Sequence, residues 1–101
     1  MTTIEEPSTG TRSAALHESS LTQDLLVLRS TVADVLLTRS HRVVVDVSCL
    51  DRPSSTAVAA LLWAKRSCAR AGVDFQVHGA RPANRDVLRR CGLVVRGGGA
   101  G

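Results

Sequence analysis

The chain has 101 residues, 44% hydrophobic and 22% charged, with a formal charge of +4, which fits one globular domain and excludes a disordered or collagen-like chain. No run of about 18 apolar residues is present, which excludes a spanning helix. The start, with Thr2, Thr3, Glu5 and Glu6, lacks the basic-then-apolar pattern of a secretory signal, so the expected location is cytoplasmic.

Trp63 and Phe75 are the only aromatic residues, so the core must be built from valine, leucine and alanine. A domain this small buries only about two-thirds of the surface its unfolded chain exposes, so its stability should be modest. Residues 1–78 carry eight basic and eight acidic side chains, and the positive excess therefore lies in 79–101.

Residues 1–18 read as disordered or as one weak strand around Ala14-Ala15-Leu16-His17. From Leu21 the apolar positions Leu21, Leu25, Leu28, Val32, Val35 and Leu36 keep the period of an amphipathic helix. Ser19 and Ser20 stand where an N-cap belongs, and the pattern ends near Thr38, with Arg39 and Arg42 flanking the exit. Val43-Val44-Val45-Asp46-Val47-Ser48 is β-branched, too short for a helix and apolar on both sides, the pattern of a central strand covered on both faces.

Asp51-Arg52-Pro53-Ser54 is turn chemistry, and Pro53 cannot donate to a sheet. A second helix follows over 55–71, with Val58, Leu61, Leu62, Cys68 and Ala69 on its apolar face and Gly72 at its end. Val73–Val77 alternates like a half-buried strand, Gly79 and Pro82 open a third helix ending at Cys91-Gly92, and Leu93–Val95 is a last short strand. Residues 97–101 read as a flexible glycine-rich tail. Helix and strand alternate, so the strands should pair in parallel through crossovers.

Cys49, Cys68 and Cys91 match neither zinc-site spacing nor an even disulfide framework, and they read as small buried thiols. His17, His41 and His78 lie in separate segments with no carboxylate or cysteine at ligand spacing, so neither a metal nor another cofactor is expected. Ser48, Ser54 and Ser55 sit in no Gly-x-Ser-x-Gly elbow, and no glycine-rich loop precedes a helix; the sequence offers no catalytic residue, and an enzyme is not expected. Arg81, Arg85 and Arg89 could meet phosphate backbones, but no aromatic residues are interleaved for base stacking. A solvated arginine-rich helix face is the simpler reading, and nucleic acid is not the expected partner.

Ser54-Ser55-Thr56 places three hydroxyls where a loop enters a helix whose first amides lack internal partners. Capping alone is one reading. The other is a modification site: a phosphoryl group brings a charge of about −1.5 to −2 to the positive end of the helix dipole, which the fold tolerates and a docked partner does not.

Three stretches together, Val43–Leu50, Pro53–Leu62 and Val87–Leu93, with Ala71-Gly72-Val73 between the last two, resemble the STAS domains of anti-sigma-factor antagonists. The resemblance implies an α/β fold: a small, mostly parallel sheet with helices packed on it, the first strands and last helix shortened or missing, over residues 19–96. It implies a partner that is both serine kinase and anti-sigma factor, bound by the unmodified domain and released by phosphorylation of a loop serine. By that resemblance Ser55 is the modified residue, with Thr56 and Ser54 as alternatives, and Asp46, Ser54, Ser55, Thr56, Ala57 and Val58 form the partner-binding surface. Ser54 stands where the family has Asp and Ala57 where it has Gly, so the alternative is a degenerate STAS domain that serves as an unphosphorylated interaction or structural module. An unpaired sheet edge would also invite strand addition, including a homodimer.

Overall fold

The structure, a computed structural model, describes residues 10–38 and 41–96. The expectations for Arg39, for the tail at 97–101 and for residues 1–9 of the N-terminal segment lie outside these residues. Strand β1 (Thr11–His17) leads through one short 3-10 turn into α1 (Leu21–Thr38). Then follow β2 (Arg42–Cys49), α2 (Ser55–Arg70), β3 (Asp74–His78), α3 (Pro82–Arg90) and β4 (Val95–Arg96). The four strands form one sheet in the order β1-β2-β3-β4, every pair parallel.

That order has a direct consequence for the layers. Right-handed crossovers that step the same way along a sheet put their helices on one face. In β2, Val43, Val45 and Val47 are buried, while Arg42, Asp46 and Ser48 are exposed and Val44 is half-buried. The central strand is therefore covered on one side, not on both as the valine run suggests. In β3 Phe75 and Val77 are buried in the core, while Asp74, Gln76 and His78 form a hydrogen-bonded ladder in which Gln76 is itself buried, its Nε2 donating to Asp74 Oδ2 at 2.7 Å and His78 Nε2 lying 2.9 Å from its Oε1. The Arg42 guanidinium extends the ladder to β2, 3.3 Å from Asp74 Oδ2.

The N-terminal strand is longer than its composition suggests. Six of its seven residues pair with β2, the register shifting between Ala15 and His17, and Leu16 is wholly buried. Its polar residues Thr11, Arg12 and Ser13 are exposed, which is why only Ala14–His17 carries an apolar signal.

α1 has the expected bounds and buries Leu28, Val32 and Val35, with Leu21 and Leu25 packed at the margin. Leu36, expected in the core, is exposed. The start of the helix differs from a simple serine cap. Asp24 Oδ2 accepts from the His17 backbone amide at 2.7 Å and from Ser20 Oγ at 3.0 Å, and it lies 3.1 Å from His17 Nδ1. One carboxylate thus ties the end of β1 to the first turn of α1.

The apolar face of α2 is rotated from the expected one. Ala57, Leu61, Ala64 and Cys68 are fully buried, Val58 and Leu62 are half-buried, and Ala69 is exposed. These four buried positions keep a spacing of three to four, and three of them are small, which lets the helix approach the sheet closely. Of the cysteines only Cys68 is buried, and burial pushes its thiol pKa up. Cys49 is exposed and Cys91 intermediate, contrary to the expectation of three buried thiols. At the far edge the last strand is Val95–Arg96, with the buried Leu93 anchoring the turn before it.

Burial by itself would raise the pKa of Asp24. The hydrogen bonds from the His17 amide and ring and from Ser20, together with the charge on His17, outweigh it and hold the carboxyl below its ordinary value of 3.8. A carboxyl lowered by folding stabilises the fold fully above the unfolded-state pKa, and that contribution is lost as pH falls through the folded-state value. Asp24→Ala should therefore lower stability by about 1 kcal/mol at neutral pH. In urea titrations the gap between variant and wild type should shrink as pH drops below 3.8; a gap independent of pH would refute the role given to this carboxylate.

Candidate functional site

Residues 50–54 connect the C-terminal end of β2 to α2, and several unrelated contacts hold this loop. Leu50 is buried, and its amide donates to Val47 O at 3.0 Å, closing a tight turn. Asn84, a buried polar residue in the first turn of α3, donates through Nδ2 to Asp51 O at 3.0 Å and to Leu50 O at 3.4 Å. Arg81 Nη1 reaches Asp51 Oδ1 at 2.6 Å, and the Arg52 amide donates to Glu18 Oε2 at 3.4 Å. Pro53 lines a small hollow under the loop together with Val47, Leu61 and Leu88.

The loop thus delivers the chain into α2 at a fixed angle, and the three hydroxyls take three different roles. Ser54 has extended backbone angles and is the N-cap: its Oγ accepts from the Ala57 amide at 3.1 Å, while its carbonyl accepts the first helical bond from Val58 at 2.9 Å. Ser55 is the first helical residue, exposed, and its hydroxyl has no partner among the described residues. Thr56 is exposed and lines a groove between α1 and α2.

The remaining members of the expected surface divide as sharply. Ala57, expected on the partner-binding surface, is fully buried, so its side chain supports the loop from beneath. Its place inside α2 requires no left-handed backbone. Val58 is half-buried against the core. Asp46 lies on the open face of the sheet, where its Oδ1 accepts from the Ser48 amide at 2.8 Å. A Cβ added to Gly79, whose φ is +79°, would come within 2.8 Å of that oxygen and 3.0 Å of Ser48 Cβ. Asp46 and the hydroxyl cluster share one end of the sheet, but no hydrogen bond joins them.

The electrostatics at this helix end favour an anion. The first turn of α2 contains no acidic residue, the amides of Ser55 and Thr56 point out of the helix end, and Asp51 is already paired with Arg81. Asn84 is the residue that the sequence does not single out: one asparagine two places after a helix-opening proline has no periodicity or motif to mark it.

Removing the Asn84 amide leaves the Leu50 carbonyl without its side-chain donor in a buried position. Asn84→Ala should lower stability by about 1–3 kcal/mol, with faster amide exchange over residues 50–54. Ser54→Ala should remove about 1 kcal/mol through the lost cap, whereas Ser55→Ala should stay within about 0.5 kcal/mol of wild type. Thermal or urea unfolding of the three variants checks the ranking; equal losses for Ser54→Ala and Ser55→Ala would refute the division of roles.

Comparisons with known proteins agree with this architecture. RsbS from Moorella thermoacetica, in a serine-to-glutamate variant, superimposes with a TM-score of 0.73 over 86% of this chain and 79% of its own, at 16% sequence identity. None of the curated proteins matches the sequence significantly. The family model described as "Mlab, STAS domain" matches residues 14–94, which takes in the second half of β1, β2, β3 and all three helices, and the chain belongs to the STAS family.

Proposed function

We propose that this domain is a non-enzymatic binding module of the anti-sigma-factor-antagonist type, acting in the cytoplasm. In its unmodified form it binds an anti-sigma factor with serine kinase activity, and phosphorylation of Ser55 releases that partner. The observation that carries the reading is the division of labour at the start of α2: Ser54 does the capping, which leaves Ser55 exposed with a hydroxyl that the fold does not use. A dianion at the first helical residue faces the outward-pointing amides and the positive end of the dipole, so it leaves the fold intact. Inside an interface the same charge must be desolvated, and docking weakens.

The same residues also suggest a second reading, a degenerate module with no phosphorylation cycle, because Ser54 and Ala57 replace the Asp and Gly that the family carries there. The geometry reduces the weight of both replacements. Serine and aspartate cap helices about equally well, and Ala57 sits in regular helix where glycine's freedom has no use. A nucleic-acid role has less support, because Arg81 pairs with Asp51 and Arg85 Nε donates to Ala80 O at 3.3 Å. Among the described residues strand β1 pairs only with β2, and an unpaired outer edge would offer a place for strand addition by a second copy.

Incubation with the cognate kinase-type anti-sigma factor and ATP should add one phosphate mass, and Ser55→Ala should abolish it. Ser55→Glu should weaken binding by about tenfold or more with an unchanged melting temperature. Undiminished labelling of Ser55→Ala would refute the site, and tight binding by Ser55→Glu with no labelling of wild type would establish the second reading.

A further inference from the structure

The helix side of the molecule carries a surface that the loop switch does not explain. Between α1 and α2 runs a groove of about 530 Å³ whose walls include Leu25, Leu26, Arg29, Thr56, Ala60 and Trp63. Leu26 is 63% exposed and Trp63 40%. A second hollow shares Arg29 and Trp63 with the first and continues to Leu36 and Ser67. Together they follow α2 from Thr56 to Ser67, about three helical turns. The Arg29 guanidinium lies over the Trp63 ring, 5.6 Å from its centroid, at the midpoint.

Backbone chemistry narrows what can fill this furrow. Both walls are helices whose main-chain groups are already bonded internally, so an extended segment laid between them would find no partners for its own amides and carbonyls. A helix brings its hydrogen bonds with it and needs only an apolar face, which the leucines and Trp63 match.

Charge narrows it further. α2 carries Lys65, Arg66 and Arg70 and no carboxylate, and Arg66 and Arg70 follow Trp63 and Ser67 at the spacing that shares a helix face. Arg29 has no ion-pair partner among the described residues. The acids of α1 are already engaged, Asp24 by His17 and Ser20 and Asp34 by Arg12 at 3.0 Å. A second copy docked here would set these cations against one another. A helix with acidic flanks would pair with them.

We propose that the α1–α2 groove docks an amphipathic helix of a partner protein, with an apolar stripe of about three turns flanked by glutamate or aspartate. This rests on the reading of the domain as a protein-binding module, and it adds a second contact region next to the switch serine.

Trp63 is the chain's only tryptophan, so its emission reports directly on the groove. The probes are two synthetic helical peptides with the same leucine stripe, one flanked by glutamates and the other by lysines. The glutamate peptide should shift Trp63 emission saturably, with affinity falling as salt rises, and the lysine peptide should not. Arg29→Glu, a change at an exposed position, should weaken the glutamate peptide about tenfold without altering the melting temperature. Leu26→Asp, also exposed, should weaken it as well. Ser55→Ala should bind the peptide like wild type, so loss of the phosphorylation reading would leave this result standing. No saturable shift, an equal response to both peptides, or a concentration-dependent dimer in sedimentation that Leu26→Asp dissolves would overturn the proposal.

Discussion

A parallel sheet whose strands follow one another in sequence order sends every crossover across the same face, and the rest of this molecule is a response to that constraint. One face must bury the whole aliphatic core under three helices, and the other must be made safe in water. The small residues Ala57, Ala64 and Cys68 bring α2 close enough to bury Val45 and Val77 completely, so a core with a single buried aromatic, Phe75, still packs. On the open face the Arg42–Asp74–Gln76–His78 ladder ties polar side chains to one another. A continuous apolar strand would leave an aggregation-prone surface there.

The same constraint places the functional end. In a parallel sheet every loop from a strand to the following helix lies at the C-terminal edge of the strands, so the 50–54 loop, Gly79 and the first turn of α3 converge there. Convergence lets one residue of α3, Asn84, fix the loop that presents the first turn of α2. The rigidity of the serine's setting is therefore borrowed from a helix about 30 residues further along the chain, the separation that the Asn84 hydrogen bonds span. A hydroxyl on a loose loop would meet a kinase or a partner in many orientations. This one is held at a fixed distance from a dipole that would make the proposed phosphorylation tolerable.

Much of this was legible in the residues, and the failures have physical causes. Periodicity located α1 to the residue, because 18 residues with a repeating apolar face leave little ambiguity. Proline and glycine placed the ends of α2 and α3 closely. The burial of β2 was misread because Val44 is valine on a solvent-facing position: it is half-buried by neighbouring side chains, and its identity carries no mark of the face it occupies. β1 was underestimated because an edge strand with one covered face needs few apolar residues, and Thr11, Arg12 and Ser13 show the chemistry of a loop. On α2 the expected face shares Leu61 and Cys68 with the buried one, but Val58, Leu62 and Ala69 stand where Ala57 and Ala64 are the residues buried, because alanine lies on either face and its identity does not mark which. At the site, the serine cluster was visible as chemistry, but which hydroxyl caps and which stays free is decided by backbone angles at Ser54 that no composition encodes. Asn84 acts across a distance in sequence that only the fold closes.

One geometric fact links the two surfaces proposed for binding. Ser55 and Thr56 are neighbours in the first turn of α2, and Thr56 is already part of the wall between α1 and α2. Charges separated by less than a Debye length, about 8 Å at physiological ionic strength, act on each other with little screening. A dianion at Ser55 therefore reaches the mouth of the groove as well as the loop. It would repel an acidic flank seated at the Thr56 end of the groove, whereas Arg66 and Arg70 lie about 16 and 22 Å further along α2, so a helix seated in the groove would lose part of its affinity through the same modification proposed to weaken docking at the loop. Two modest contacts weakened together release a partner more completely than either alone, because each bound contact otherwise keeps the other at high effective concentration. A single serine at the end of one helix could then act as a full switch without any change of fold.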